Sequence, residues 1–150
     1  MKRLAPLLVG LAFGCEKPAT TPPVPTPPPS GLRVPLPEGW RGVASTDGLS
    51  VGPEGKVVLQ LERTQRPFPS PDALSSAVTA EGVEVLEKES NETFSGVRYS
   101  IAVEGLKREA FLGVRSAGDH TIWCSTTMQA TRDDVEAAMT VCKGVSQESE

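Results

Sequence analysis

Histidine is almost missing from this chain: His120 is the only one in 150 residues. A Ser-His-Asp or Cys-His site would have to use that imidazole as its base. It stands beside Asp119 at an expected turn before a strand, where an exposed turn histidine is the ordinary reading. One histidine and three cysteines, two of them expected to be bridged, are too few ligands for a zinc site. No catalytic residue, no metal and no cofactor is therefore expected. Long apolar runs are missing too. The best, Leu4 to Gly14, would cover roughly 16 Å as a helix, about half of a bilayer's hydrocarbon core. No glycine-rich phosphate loop is present, and Gly52-Pro-Glu-Gly55 reads as a hairpin turn. Positive charge is also short, with 15 Lys and Arg against 19 Asp and Glu. That balance argues against nucleic acid and against electrostatic docking on anionic lipid.

What acidity there is does not cluster for chemistry. Glu84, Glu87, Glu89 and Glu92 lie along a strand and a polar turn, a solvated face rather than a tight oxygen-rich calcium loop. Asn91-Glu-Thr93 matches a glycan acceptor pattern, but such short matches arise often by chance. Arg63, Arg66 and Phe68 lie in or beside a proline-broken connection, Arg66-Pro-Phe-Pro-Ser-Pro71.

The start of the chain carries the clearest signal. Lys2 and Arg3 precede the apolar stretch Leu4 to Gly14, and a lone thiol, Cys15, follows. This resembles a bacterial lipoprotein signal, in which residues 1–14 are removed and the cysteine is acylated. Gly14 and Cys15 fit that pattern, while Ala12 and Phe13 depart from it. The resemblance implies a membrane anchor at Cys15 and a place in the cell envelope. Glu16 after the cysteine leans toward the outer membrane over the inner one. Plain secretion is the alternative. Several acyl chains, at about 0.8 kcal/mol per buried methylene, make release slow where one chain gives only reversible attachment.

Residues 18–31 read PATTPPVPTPPPSG, uncharged and half proline. Proline lacks the backbone donor that helices and ladders need. An extended, semi-rigid spacer follows, long enough at about 3.1 Å per residue to hold a domain roughly 40–50 Å from lipid. A docking site for an aromatic groove is the other reading. Residues 15–32 thus form a lipidated start and a linker. Residues 33–145 form one domain of ordinary size, and 146–150 a polar tail. Removal of Lys2 and Arg3 takes the formal charge from −4 to −6.

Within the domain, alternation predicts strands. Val57, Leu59 and Leu61 share one face. Val97, Tyr99, Ile101 and Val103 share another, with Arg98, Ser100 and Glu104 opposite. Ala110 to Arg115 and Thr121 to Met128 read as two more strands, with turns at Gly105 and at Ser116 to Asp119. Glu81 to Glu87 precedes them, and shorter strands fall near Trp40 to Ala44 and Leu49 to Val51. Ser70-Pro71-Asp72 opens a helix whose apolar face is Leu74, Ala77 and Val78. Thr131 opens a second, with Val135, Ala138, Met139 and Cys142 as its stripe and Gly144 as its stop. The result is an α+β domain, an antiparallel β-sheet packed with two α-helices. Pro35-Leu-Pro-Glu-Gly-Trp40, the helix after Ser70-Pro71, the Phe94-Ser-Gly-Val-Arg-Tyr99 strand entry and the closing helix together resemble the PsbP-like fold over Val34 to Lys143.

With Cys15 set aside, two thiols remain, an even number for an oxidising compartment. Cys124 shares a strand face with Ile122 and Met128, and Cys142 lies on the stripe of the last helix, so a disulfide between them is expected; buried free thiols are the alternative. Trp123 alternates away from Cys124 onto the opposite sheet face. There it is either a contact for a partner or is covered by another element. These features point to a noncatalytic envelope lipoprotein that binds another protein or supports an assembly. A small-ligand-binding lipoprotein and a plainly secreted protein of the same fold are the alternatives.

Overall fold

The structure, a computed structural model, describes residues 31–46 and 48–148. The expectations for the leader, Cys15 and nearly all of the proline-rich linker lie outside these residues. The elements in chain order are β1 (Leu32–Arg33), β2 (Trp40–Ala44), β3 (Gly48–Pro53), β4 (Leu59–Thr64), α1 (Pro71–Val78), β5 (Val83–Ser90), β6 (Phe94–Val103), β7 (Leu106–Ala117), β8 (His120–Thr126), α2 (Arg132–Gly144) and β9 (Ser146–Gln147). The domain is α+β. Seven strands form one sheet in the order β2-β3-β4-β8-β7-β6-β5, every neighbouring pair antiparallel. Two meanders, β2–β4 and β5–β8, are joined where β4 pairs with β8. α1 carries the chain from that junction to the far edge at β5.

The helices lie on opposite faces. Strand alternation makes this possible, since successive side chains leave opposite sides of a sheet. On one side Leu59, Leu61, Phe94, Phe111, Ile122 and Cys124 pack with Val135, Ala138, Val141 and Cys142 of α2. On the other, Val97 and Val114 pack with Leu74 and Val78 of α1, with Val85, Tyr99, Leu112 and Trp123 around them. The turns follow the sequence. Glu104 and Gly105 both take positive φ, 50° and 79°, as the tight hairpin between β6 and β7 requires.

Several expectations are corrected by packing. Val57 does not share the Leu59 face: it is 37% exposed while Val58 is fully buried. Val58 N–H donates to Val51 O at 2.9 Å, yet Leu59 is the register partner of Val51. Two residues thus face one, and the alternation slips by a residue, as at a β-bulge. Met128 does not continue the Cys124 face, because β8 ends at Thr126 and Met128 is exposed in the turn that follows. In α1 the buried face is Leu74, Ser75 and Val78, with Ala77 outward. Gly144 belongs to α2 itself, and the cap is Val145 in extended backbone. A Cβ at Gly144 would lie 2.5 Å from Pro35 Cγ, so the glycine is there to let the incoming chain pass. Strand pairing reaches Gln147, so the expected polar tail begins with β9, paired to β1 through Leu32 with Gln147 and Arg33 with Ser146.

Gly96 and Gly113 face each other across β6 and β7. The rings of Phe94 and Phe111 lie over them, stacked with centroids 6.2 Å apart. A Cβ at Gly113 would lie 2.3 Å from Phe111 Cζ, and one at Gly96 2.6 Å from Phe94 Cζ. The glycines therefore make the hollow that lets both rings lie flat beneath α2. Gly113→Ala is expected to cost about 1–3 kcal/mol, the usual range for an overpacked core, read as a lowered urea midpoint with unchanged slope.

Candidate functional site

β8 places the chemistry-bearing residues on both faces at once. Cys124 and Cys142 have no exposed surface, and their sulfurs stand 2.07 Å apart, a disulfide distance. The link joins the central strand to the last turn of α2. A bridge closing this separation of 18 residues is worth about 3 kcal/mol in the chain-entropy model. A Cys124→Ala/Cys142→Ala chain should lose a comparable amount in urea unfolding, and thiol titration of the native protein should find neither sulfur.

Trp123 is on the α1 face, as its alternation implied. It is half-buried against the Leu74, Val78, Val97 and Val114 cluster. The Arg66 guanidinium carbon lies 5.6 Å from its ring centroid, and its indole N–H is buried without a hydrogen bond among the described residues. Arg66 thus covers one side of the tryptophan from the proline-broken connection. Burial raises the hydroxyl pKa of Tyr99, which lies in the same cluster. His120 opens β8 opposite Ala117 at the β7–β8 turn, with Gly118 at φ +60°. Asn91 uses its side-chain oxygen locally, accepting from Thr93 N and Phe94 N at 2.9 Å each. Glu84 pairs with Lys107 and Glu89 with Lys143. No group of three or more His, Cys, Asp or Glu placed to hold a metal occurs among the described residues.

Long-range ion pairs seat the start of α2, and no local signal could have announced them. Lys56 in the β3–β4 turn pairs with Asp134. Arg98 donates from Nε to Glu109 Oε2 at 2.8 Å and reaches Glu136 at 3.5 Å, while Arg132 meets Glu109 at 3.5 Å. The Glu109 hydrogen bond, against the opposing effect of burial, raises Arg98 further above its ordinary pKa. Thr131 and Asp134 form a capping box: Asp134 Oδ2 accepts from Thr131 N at 2.8 Å, and Thr131 Oγ1 from Asp134 N at 3.3 Å. Burial alone would raise the Asp134 pKa, but hydrogen bonds from Lys56 and Thr131 outweigh it and hold it below the ordinary value.

Among the described residues, one small hollow lies beside the end of α2. The hollow between Leu32, Val34, Leu49, Arg63, Ile122 and Val145 is about 10 Å³, near the least volume that admits a single water. Larger hollows are open and shallow. One of about 360 Å³ runs from Ser45 past Ser50 to Glu62, and one of about 290 Å³ from Arg41 past Ser50 to Val57. Both lie on the β2–β4 meander. There the sheet carries Arg41, Val43, Gln60 and Glu62 outward, while α1 rests on β5, β6 and β7. Arg41 and Val43 were not singled out in the sequence, although the alternation of Trp40 to Ala44 already placed them together. No helix of the described residues is long and apolar enough to cross a membrane. The chain matches no protein-family model, and no curated protein matches it.

Because the Asp134 pKa is lowered by folding, its contribution to stability is full above about pH 4, the unfolded aspartate range. It is lost as pH falls through the lower folded value. Asp134→Asn should therefore lower the melting temperature at neutral pH and flatten the acid side of the stability curve. Scanning calorimetry across that range checks both.

Proposed function

We propose that the chain is an exported envelope lipoprotein, anchored through acyl groups on Cys15 and favouring the outer membrane, whose domain binds another protein without catalysis. The basic start, the short apolar run and Cys15 support the anchor, and the proline-rich stretch supports a spacer. The observation that carries the binding half is the uneven cover of the sheet. Its α2 side is filled by the helix and the Cys124–Cys142 link. On its α1 side the β2–β4 strands present Arg41, Val43, Gln60 and Glu62 with no helix over them among the described residues. Trp123, half-covered by Arg66, borders this surface and belongs to the same contact. The domain is PsbP-like in this reading, supported by the antiparallel sheet, the helix after Ser70-Pro71 and the closing helix.

Two measurements test the proposal. Intact mass of the protein from its native membranes should show cleavage before Cys15, added acyl mass, and the two-hydrogen deficit of the bridge. Cross-linking on those membranes, followed by purification, should recover one partner repeatedly and lose it when Val43 is made Asp. An uncleaved, unacylated chain in the cytosol rejects the anchor, and recovery without a recurrent partner rejects the binding role.

A further inference from the structure

The two edges of the seven-stranded sheet are built differently. β5 is guarded: its register slips between Val85 and Glu87, and Glu84, Glu87, Lys88 and Glu89 load it with charge. A bulge and charge are how natural sheets keep other strands off an edge. β2 has neither. It pairs with β3 in unbroken register from Trp40 with Pro53 to Ala44 with Leu49, and Arg41 is its only charged residue.

Hydrogen-bond parity shows which groups β2 leaves over. Ser45 N–H donates to Gly48 O at 2.9 Å. Hydrogen-bonded pairs alternate in an antiparallel ladder, so Val43 with Ser50 and Arg41 with Gly52 are the next such pairs. Gly42 and Ala44 then turn their N–H and C=O away from β3. The neighbouring strand agrees, because the carbonyl of Val51, the partner of Gly42, is spent on Val58 N–H across in the other direction. No described strand pairs with this outer side. Val43 is 65% exposed, and no carboxylate pairs with Arg41 among the described residues.

We propose that the outer edge of β2 is a strand-addition site for an extended segment of a partner protein, with an aliphatic side chain opposite Val43 and a carboxylate opposite Arg41. This rests on the protein-binding reading above and names its surface. The incoming strand runs antiparallel, like every other pairing of the sheet, so the aliphatic residue precedes the acid by two positions. Main-chain bonds to Gly42 and Ala44 give the affinity, and the side chains give the choice of sequence. Arg41 and Val43 fall at the positions of the new pair where opposed side chains come closest. The positive charge of Arg41 selects the acid, and Val43 loses its exposed surface.

The test uses the whole chain as purified from cells, and a short synthetic peptide of threonines carrying Val-Thr-Glu at its centre. Hydrogen exchange by NMR should show added protection at the Gly42 and Ala44 amides. Arg41→Glu should weaken binding about tenfold or more, equivalent to about 1.4 kcal/mol, and a Val-Thr-Lys peptide should restore it. Ala44→Pro removes one outward donor at an edge position where proline is tolerated, and should fold yet lose the peptide. If that variant does not fold, the Arg41 charge exchange still decides. Protection elsewhere or nowhere overturns the proposal. So does an Arg41→Glu chain that binds both peptides alike, or light scattering showing a dimer whose Gly42 and Ala44 amides are already protected. The readout does not depend on lipid at Cys15, so it fails separately from the anchor.

Discussion

The pairing of β4 with β8 is the constraint on which the rest of the molecule depends. Without it the domain would be a three-stranded and a four-stranded meander, each with two open edges and half a core. With it, Leu61 stands across from Cys124 and Glu62 across from Trp123. One line of register therefore fixes an apolar position under α2 and an amphipathic one on the opposite face. α1 exists in its present place because of this seam. The chain leaves β4 in the middle of the sheet and must reach an edge to begin the second meander, and a helix across one face is a compact way to do so.

Polar contacts then specify what apolar burial leaves loose. A sheet side and a helix stripe will pack in more than one sliding register. The Lys56–Asp134, Arg98–Glu136 and Glu109–Arg132 pairs fix the start of α2, and the Cys124–Cys142 link together with Arg115 Nε on Val145 O at 3.0 Å fixes its end. Partly exposed pairs of this kind contribute only about 0–1 kcal/mol each. Their value is positional, since they tie β6, β7 and the β3–β4 turn to one end of α2.

The sequence made local features legible and left most non-local ones hidden. The alternation of Ile122-Trp-Cys124 and the 3.6-residue stripe of α2 were each readable alone, and together they placed two thiols in one layer. Ser70-Pro71 and Thr131 were readable as helix starts for the same reason. Val57 misled because the slip at Val58 and Leu59 arises from the neighbouring strand. Gly144 misled because its reason is Pro35, far away in sequence and adjacent in space. β1 and β9 have two residues each, too few for any period to register. The status of β2 as an unguarded edge could not be read at all, because edge and interior are properties of strand order and not of composition.

β1 also decides how the domain hangs from whatever precedes it. Residue 31 accepts a hydrogen bond from Glu148 N at 2.9 Å, and the next two residues pair with β9. Any pull on the chain ahead of Leu32 would meet this small ladder before it reached the main sheet. The strand is also rooted in the core, because Leu32 is 3% exposed and lines a small hollow with Leu49, the partner of Ala44 in β2. Peeling β1 away would therefore uncover a core leucine beside the β2–β3 pairing, so apolar burial as well as backbone bonding holds the first residues of the fold in place.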